Sequence, residues 1–208
     1  MSGPLVVGAG DGAIERAQEV LNASGLVLFP TETYYGIAAR PDRSEALGRL
    51  TSLKSRGDSL PTIAADVDEA HLWVDLPPTL ARLAEEFWPG PLTLVAKPKR
   101  EVDPAILGGR DTVAIRVPGH TLARRLAKAG GGVITSTSAN PRGQLPPNHP
   151  SGIATSVLAA VDLVIDGGTT PGEAPSTLVG WADGQLHVYR AGAIGVRALE
   201  LTLNRARS

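Results

Sequence analysis

Six residues, Thr135-Ser136-Thr137-Ser138-Ala139-Asn140, follow the apolar pair Val133-Ile134 and carry four hydroxyls and a terminal amide. Such a run after a strand can cradle an anion with side-chain and backbone donors. It can equally satisfy itself within a turn. A second candidate is Lys54-x-Arg56, two cations that either complement a helix C-terminus or grip an anionic ligand. A third is Pro30-Thr31-Glu32-Thr33, polar groups delivered at the end of the apolar run Leu26-Val27-Leu28-Phe29, where α/β proteins place binding chemistry. Arg116 stands among apolar residues in Val113 to Val117, a position that in most strands points to solvent and in a minority faces a site.

Other chemistries have no residues to carry them. Zero cysteines remove disulfides, thiolate zinc sites and cysteine nucleophiles. His71, His120, His149 and His187 have no ligand spacing, so no metal site is assigned. Neither a G-x-x-x-x-G-K-[ST] loop nor a G-x-G-x-x-G after a strand is present, so a nucleotide would bind outside those schemes. Ser136 and Ser138 lack a nucleophile-elbow context. The net charge of −1 gives no global attraction for nucleic acid. No apolar run approaches membrane-spanning length and no leader precedes the first element, so a cytoplasmic protein is expected.

Elements that must position these residues follow from periodicity. With 42% apolar and 20% charged residues, 208 residues suffice for one sizeable core, and 1–208 reads as a single domain. Ala13 to Ala23 has a helix period, closed by Gly25. Leu26 to Phe29 reads as a buried strand ended by Pro30, with Tyr34 to Ile37 a second. Asp42 or Ser44 is expected to cap a helix burying Leu47, Leu50 and Leu53. Pro61 to Asp66, Leu92 to Lys97, Thr112 to Val117 and Leu163 to Ile165 read as strands. Pro78 to Phe87, His120 to Ala129, Ile153 to Ala160 and Gly195 to Arg205 read as helices. Trp88-Pro89-Gly90-Pro91 makes a corner, and Pro141 to Pro150 is a polar, proline-rich loop suited to covering a site. Asp183-Gly184 between two alternating runs signals a hairpin.

PTETYYG, Lys54-x-Arg56, WPGPLTLV at Trp88 to Val95, VAIRVP at Val113 to Pro118, TSAN at Thr137 to Asn140, and Ser176-Thr177 with Arg190 occur in one order. Together they resemble the YrdC family, the L-threonylcarbamoyladenylate synthases. That resemblance spans most of the chain and implies an α/β (α+β) fold: a twisted mixed sheet with flanking helices around a large concave cavity. It implies condensation of L-threonine, bicarbonate and ATP, with Mg²⁺ on the phosphates, into threonylcarbamoyl-AMP and pyrophosphate. The product serves tRNA modification through a downstream threonylcarbamoyl transferase complex. Carried over residue by residue, Thr31, Ser136 and Ser176 lie near threonine, with Arg116 facing its carboxylate. Lys54 and Arg56 are the catalytic cations on the ATP phosphates, and Ser138, Asn140 and Arg190 line the nucleotide.

The chain departs from the family pattern twice. Gly57 follows Arg56 where proline is common, and Pro146-Pro147 replaces a Ser-Pro pair; both predict weaker ATP binding. Two other readings come from different classes. One is a YciO-type paralogue binding tRNA or double-stranded RNA, using Arg40, Arg43, Arg49, Lys54 and Arg56 as a basic patch. The other is a carbamoyl transferase of the hydrogenase-maturation kind, which normally accompanies zinc-finger cysteines that this chain lacks.

Overall fold

The structure is a computed structural model describing residues 3–10, 12–54 and 57–205. In chain order it runs β1 (Leu5–Gly8), α1 (Gly12–Asn22), β2 (Val27–Phe29), β3 (Gly36–Ala38), α2 (Ser44–Leu53), β4 (Thr62–Ala64) and α3 (Val67–Trp73). There follow β5 (Val74–Asp75), α4 (Pro78–Phe87), β6 (Leu92–Pro98), α5 (Pro104–Leu107), β7 (Val113–Arg116) and α6 (Thr121–Ala129). The last part comprises β8 (Val133–Thr135), β9 (Thr137–Ser138), a 3₁₀ turn (Pro150–Gly152), α7 (Thr155–Leu158), β10 (Leu163–Asp166), β11 (Thr177–Ala182), β12 (Gln185–Arg190) and α8 (Val196–Asn204).

The strands form two mixed sheets. One has the order β1-β10-β2-β3-β9; the other runs β12-β11-β6-β7-β4-β8, with β5 paired to β6. The α/β class read from the sequence holds, and its mixed sheet is divided in two. Ser136 lies between β8, in one sheet, and β9, in the other. The hydroxyl run is therefore the crossover between sheets. Thr135, fully buried, donates through Oγ1 to Ile37 O at 3.4 Å and accepts from Ala39 N at 2.7 Å. Ser136 N donates to Pro61 O at 2.7 Å. Thr135 fastens the sheets; the hydroxyls after it are left for the space between them.

Apolar side chains bury on both sides of this seam. Ala17 and Leu21 of α1 pack with Ala123, Leu126 and Ala127 of α6 against Val27, Ile63 and Ile134. Leu47, Leu50, Leu80, Leu83, Leu94 and Ile115 lie in a second, larger cluster. The β11–β12 turn has Asp183 at φ 52° and Gly184 at φ 73°, the two positive values a two-residue primed turn requires.

Some local expectations are corrected. Neither Asp42 nor Ser44 caps α2: Arg43 holds the N-cap position with no side-chain bond, Asp42 pairs with Arg40, and Ser44 Oγ donates to Asp103. The strand expected over Pro61 to Asp66 stops at Ala64, because Asp66 accepts from Glu69 N and starts α3, a helix absent from the sequence reading. The helix expected over Ile153 to Ala160 shortens to α7.

Tyr35, fully buried, ties the end of β2 and β3 to the turn after β10. Its hydroxyl donates to Gly168 O at 2.8 Å and accepts from Gly167 N at 3.0 Å. Tyr35→Phe is expected to cost about 1 kcal/mol, read from the urea midpoint at unchanged slope.

Candidate functional site

Between the sheets lies a cavity of about 540 Å³, within the roughly 300–1,000 Å³ range of small-molecule sites. Thr31, Lys54, Arg116, Ser136, Ser138, Asn140, Ser176 and Arg190 all line it. Residues chosen from six separated stretches of the chain, around positions 31, 54, 116, 136–140, 176 and 190, thus meet at one place. Arg56 and its neighbour Ser55 lie outside the described residues.

Among the described residues, five cations line the cavity, Lys54, Arg110, Arg116, Arg142 and Arg190, against one carboxylate, Asp58. A chain of net charge −1 has concentrated positive charge on a concave surface, where low-dielectric walls focus it on an anion. The hydroxyls of Thr31, Thr33, Thr93, Ser136, Thr137, Ser138 and Ser176 also line the space.

The floor is built from β7, β11 and β12. Arg116 closes β7 and is only 6% exposed. Its Nη1 donates to Glu32 Oε1 at 2.7 Å, and among the described residues its other guanidinium N–H groups have no protein acceptor. Burial lowers its pKa, opposed by the Glu32 charge. Glu32, named in the sequence without a role of its own, backs Arg116 from outside the cavity lining, and among the described residues its Oε2 is buried with no partner. Arg190 donates to Ser176 O through Nε at 3.1 Å and Nη2 at 3.0 Å, and to Ser176 Oγ at 3.0 Å. Ser176 Oγ also meets Thr93 Oγ1 at 2.8 Å. Burial lowers the Arg190 pKa, and the nearby Arg116 charge lowers it further. Two guanidinium groups with one carboxylate behind them leave an unfilled demand for an anion.

Thr31 lines the cavity and is bonded within its own turn. Its hydroxyl donates to Tyr34 O at 2.8 Å, accepts from Thr33 N at 3.1 Å and meets Thr33 Oγ1 at 3.0 Å. With one donor and two lone pairs all engaged, it shapes the turn and has no capacity left for a ligand. Gly36 opens β3 where a Cβ would stand 3.0 Å from Ser136 Oγ. Only glycine leaves the Ser136 hydroxyl undisturbed there.

Lys54 does not serve its own helix. It leaves α2 and its Nζ donates to Ser138 O and, at 2.7 Å, to Asn140 O, across the cavity mouth. Burial pushes its pKa down to about 8, against a smaller upward pull from Asp58. Asn140 Nδ2 donates to Gln144 O, while its Oδ1 is buried without a partner among the described residues. The proline-rich loop rests on the site: Pro147 O accepts from Tyr35 N at 3.1 Å, and Pro146 lines the cavity.

Three of the five residues expected as an RNA patch are engaged within the protein. Arg40 pairs with Asp42 at 2.8 Å and also donates to Asn22 Oδ1, and Arg49 pairs with Asp162 at 2.9 Å. Lys54 points into the cavity. No group of three or more His, Asp or Glu among the described residues could hold a metal, and no described helix is long and apolar enough to cross a membrane.

The family described as Telomere recombination, Sua5_yciO_yrdC, matches residues 19–192. The threonylcarbamoyl-AMP synthase of Pyrococcus abyssi is 34% identical over 198 residues, covering 93% of this chain and 58% of the relative. That of Thiobacillus denitrificans is 35% identical over 179 residues, covering 85% and 95%. The crystal structure of P. abyssi Sua5 complexed with L-threonine superposes with a TM-score of 0.87 at 29% identity, covering 96% of this chain and 59% of that one. E. coli YciO superposes at 0.85 with 25% identity, covering 96% and 100%. The chain thus spans somewhat under three fifths of the P. abyssi relative and nearly all of the T. denitrificans one.

Proposed function

The chain belongs to the Sua5/YciO/YrdC family, and from that premise we propose that it condenses L-threonine, bicarbonate and ATP into threonylcarbamoyl-AMP and pyrophosphate. The observation that carries this reading is the cavity in which, among the described residues, five cations stand against one carboxylate. The reaction brings a carbamate and a triphosphate together, so cations must offset their repulsion and the charge developing on the leaving pyrophosphate.

In this reading the threonine carboxylate lies on the open side of Arg116, whose planar fork suits a carboxylate. Ser136 and Ser176 line the amino-acid end. Thr31 acts through the turn it closes. The amine attacks bicarbonate carbon and water leaves, giving a carbamate; a carbamate oxygen then attacks the α-phosphorus and the bond to pyrophosphate breaks. Lys54 and Arg56 hold the phosphates, while Ser138, Asn140 and Arg190 face the nucleotide. ATP enters as its magnesium complex, with phosphate oxygens and water around the ion rather than a protein cage. The enclosed space holds the short-lived carbamate beside ATP, which contributes through proximity. The product would pass to a threonylcarbamoyl transferase acting on tRNA. We take residues 1–208 as one domain carrying this activity.

Pyrophosphate release tests the reading. With magnesium, ATP, threonine and bicarbonate the protein is expected to release pyrophosphate, and omission of any one of ATP, threonine or bicarbonate to abolish it. Phosphate release without threonine would identify a simple ATPase instead.

A further inference from the structure

Three loops meet at the cavity mouth, and each carries a charge: Asp58 after α2, Arg110 before β7, and Arg142 after β9. Arg142 Nη1 lies 3.5 Å from Asp58 Oδ2, with the side chains 65% and 42% exposed. Gly108, at φ +56°, lets the second loop approach the first. A Cβ there would stand 2.4 Å from Ser59 N and 2.7 Å from Asp58 C. The loops bearing Asp58 and Arg110 are therefore packed together, and Arg142 reaches them from the opposite rim.

The floor cations each hold one protein partner, Glu32 for Arg116 and Ser176 for Arg190, and in the synthase reading their open sides face the amino acid and the nucleotide. Lys54 is engaged by two carbonyls. A polyphosphate tail, flexible and carrying several charges, finds its remaining cationic partners among the described residues at the mouth. There a carboxylate from the protein itself now stands against Arg142. An exposed pair at this distance holds weakly and exchanges readily for a more highly charged anion.

We propose that Arg142 and Arg110 form a second anion subsite, at the mouth, for the terminal phosphates of a nucleoside triphosphate or for free pyrophosphate, and that Asp58 is its built-in competitor. Asp58 keeps Arg142 over the rim in the empty protein and gives it up when phosphate arrives. The identity of the anion rests on the synthase reading; the competition between Asp58 and phosphate does not.

Calorimetry with the full chain at pH 7, where Lys54 keeps its proton, separates the possibilities. Pyrophosphate and AMP, both with EDTA, are the probes. Arg142→Ala is expected to weaken pyrophosphate binding about tenfold, the loss of one charge-assisted contact, and to leave AMP within twofold. Asp58→Asn is expected to tighten pyrophosphate several-fold, and Asp58→Asn/Arg142→Ala to match Arg142→Ala alone. The opposite signs of the single variants are the decisive feature, since a merely structural ion pair would shift both the same way. Weaker pyrophosphate binding by Asp58→Asn, unchanged binding by Arg142→Ala, or equal losses for AMP and pyrophosphate would overturn the subsite. Pyrophosphate binding with the expected signs but no synthase turnover would leave the subsite standing and remove the synthase reading.

Discussion

Lys54→Ala is expected to lower kcat/KM for ATP by roughly two to three orders of magnitude, corresponding to ~2.7–4 kcal/mol by analogy with a lost oxyanion donor. The ammonium stands at the cavity mouth, fixed by Ser138 O and Asn140 O. Two of its three donors hold the loop and one remains for phosphate. Its pKa gives the role a signature. Burial brings it from 10.5 to about 8, so the charge that offsets phosphate is lost as pH rises through that value. With threonine saturating, kcat/KM for ATP is expected to fall along a limb near pH 8, because that ratio reports the free enzyme. Deprotonation of the threonine amine acts in the opposite direction. Lys54→Arg, which retains its charge, is expected to lose the descending limb. A limb unmoved by Lys54→Arg would assign the titration to another group.

Arg116 is expected to give the second large effect, and on the other substrate. Arg116→Lys keeps a charge for Glu32 but loses the planar fork. KM for threonine is expected to rise roughly 10- to 150-fold, equivalent to ~1.5–3 kcal/mol for charge-assisted hydrogen bonds, with KM for ATP little changed. Arg116→Met should also weaken the fold by about 3–5 kcal/mol, since the Glu32 carboxyl would be left in a largely buried place without its partner. Urea unfolding and threonine titration measure the two effects separately. An unchanged threonine KM in Arg116→Lys would remove the carboxylate from this arginine.

What the sequence disclosed, and what it withheld, divides along physical lines. Long periodic segments such as Pro78 to Phe87 were readable because burial of Leu80, Leu83 and Ala84 imposes a helical spacing on the chain itself. The motif residues were readable as polar groups at strand ends, and the cavity gathers those that lie among the described residues. Glu32 stood inside a quoted motif, yet nothing local reveals that it backs a guanidinium 84 positions away. The hydroxyl run left two readings open, and both hold in part: Thr135 is consumed by backbone at the seam between sheets, while Ser136 and Ser138 face the space. Thr31 lines the same space with its hydroxyl bonded within its own turn. Its spacing to Thr33 and Tyr34 encodes a self-satisfied turn, which looks from sequence like an available hydroxyl. Of the residues proposed as an RNA patch, Arg40 and Arg49 could not be judged without their acidic partners, Asp42 and Asp162, the second distant in the chain.

The most direct test of the central claim follows the carbon of bicarbonate. The protein incubated with ATP, threonine, magnesium and ¹³C-bicarbonate should yield, by mass spectrometry, an adduct with the mass of threonylcarbamoyl-AMP carrying a single ¹³C. The label should vanish from the adduct with unlabelled bicarbonate, and no adduct should form with Lys54→Ala at the same protein concentration and time. Absence of the labelled adduct at millimolar ATP, with the protein folded and binding ATP, would contradict the account.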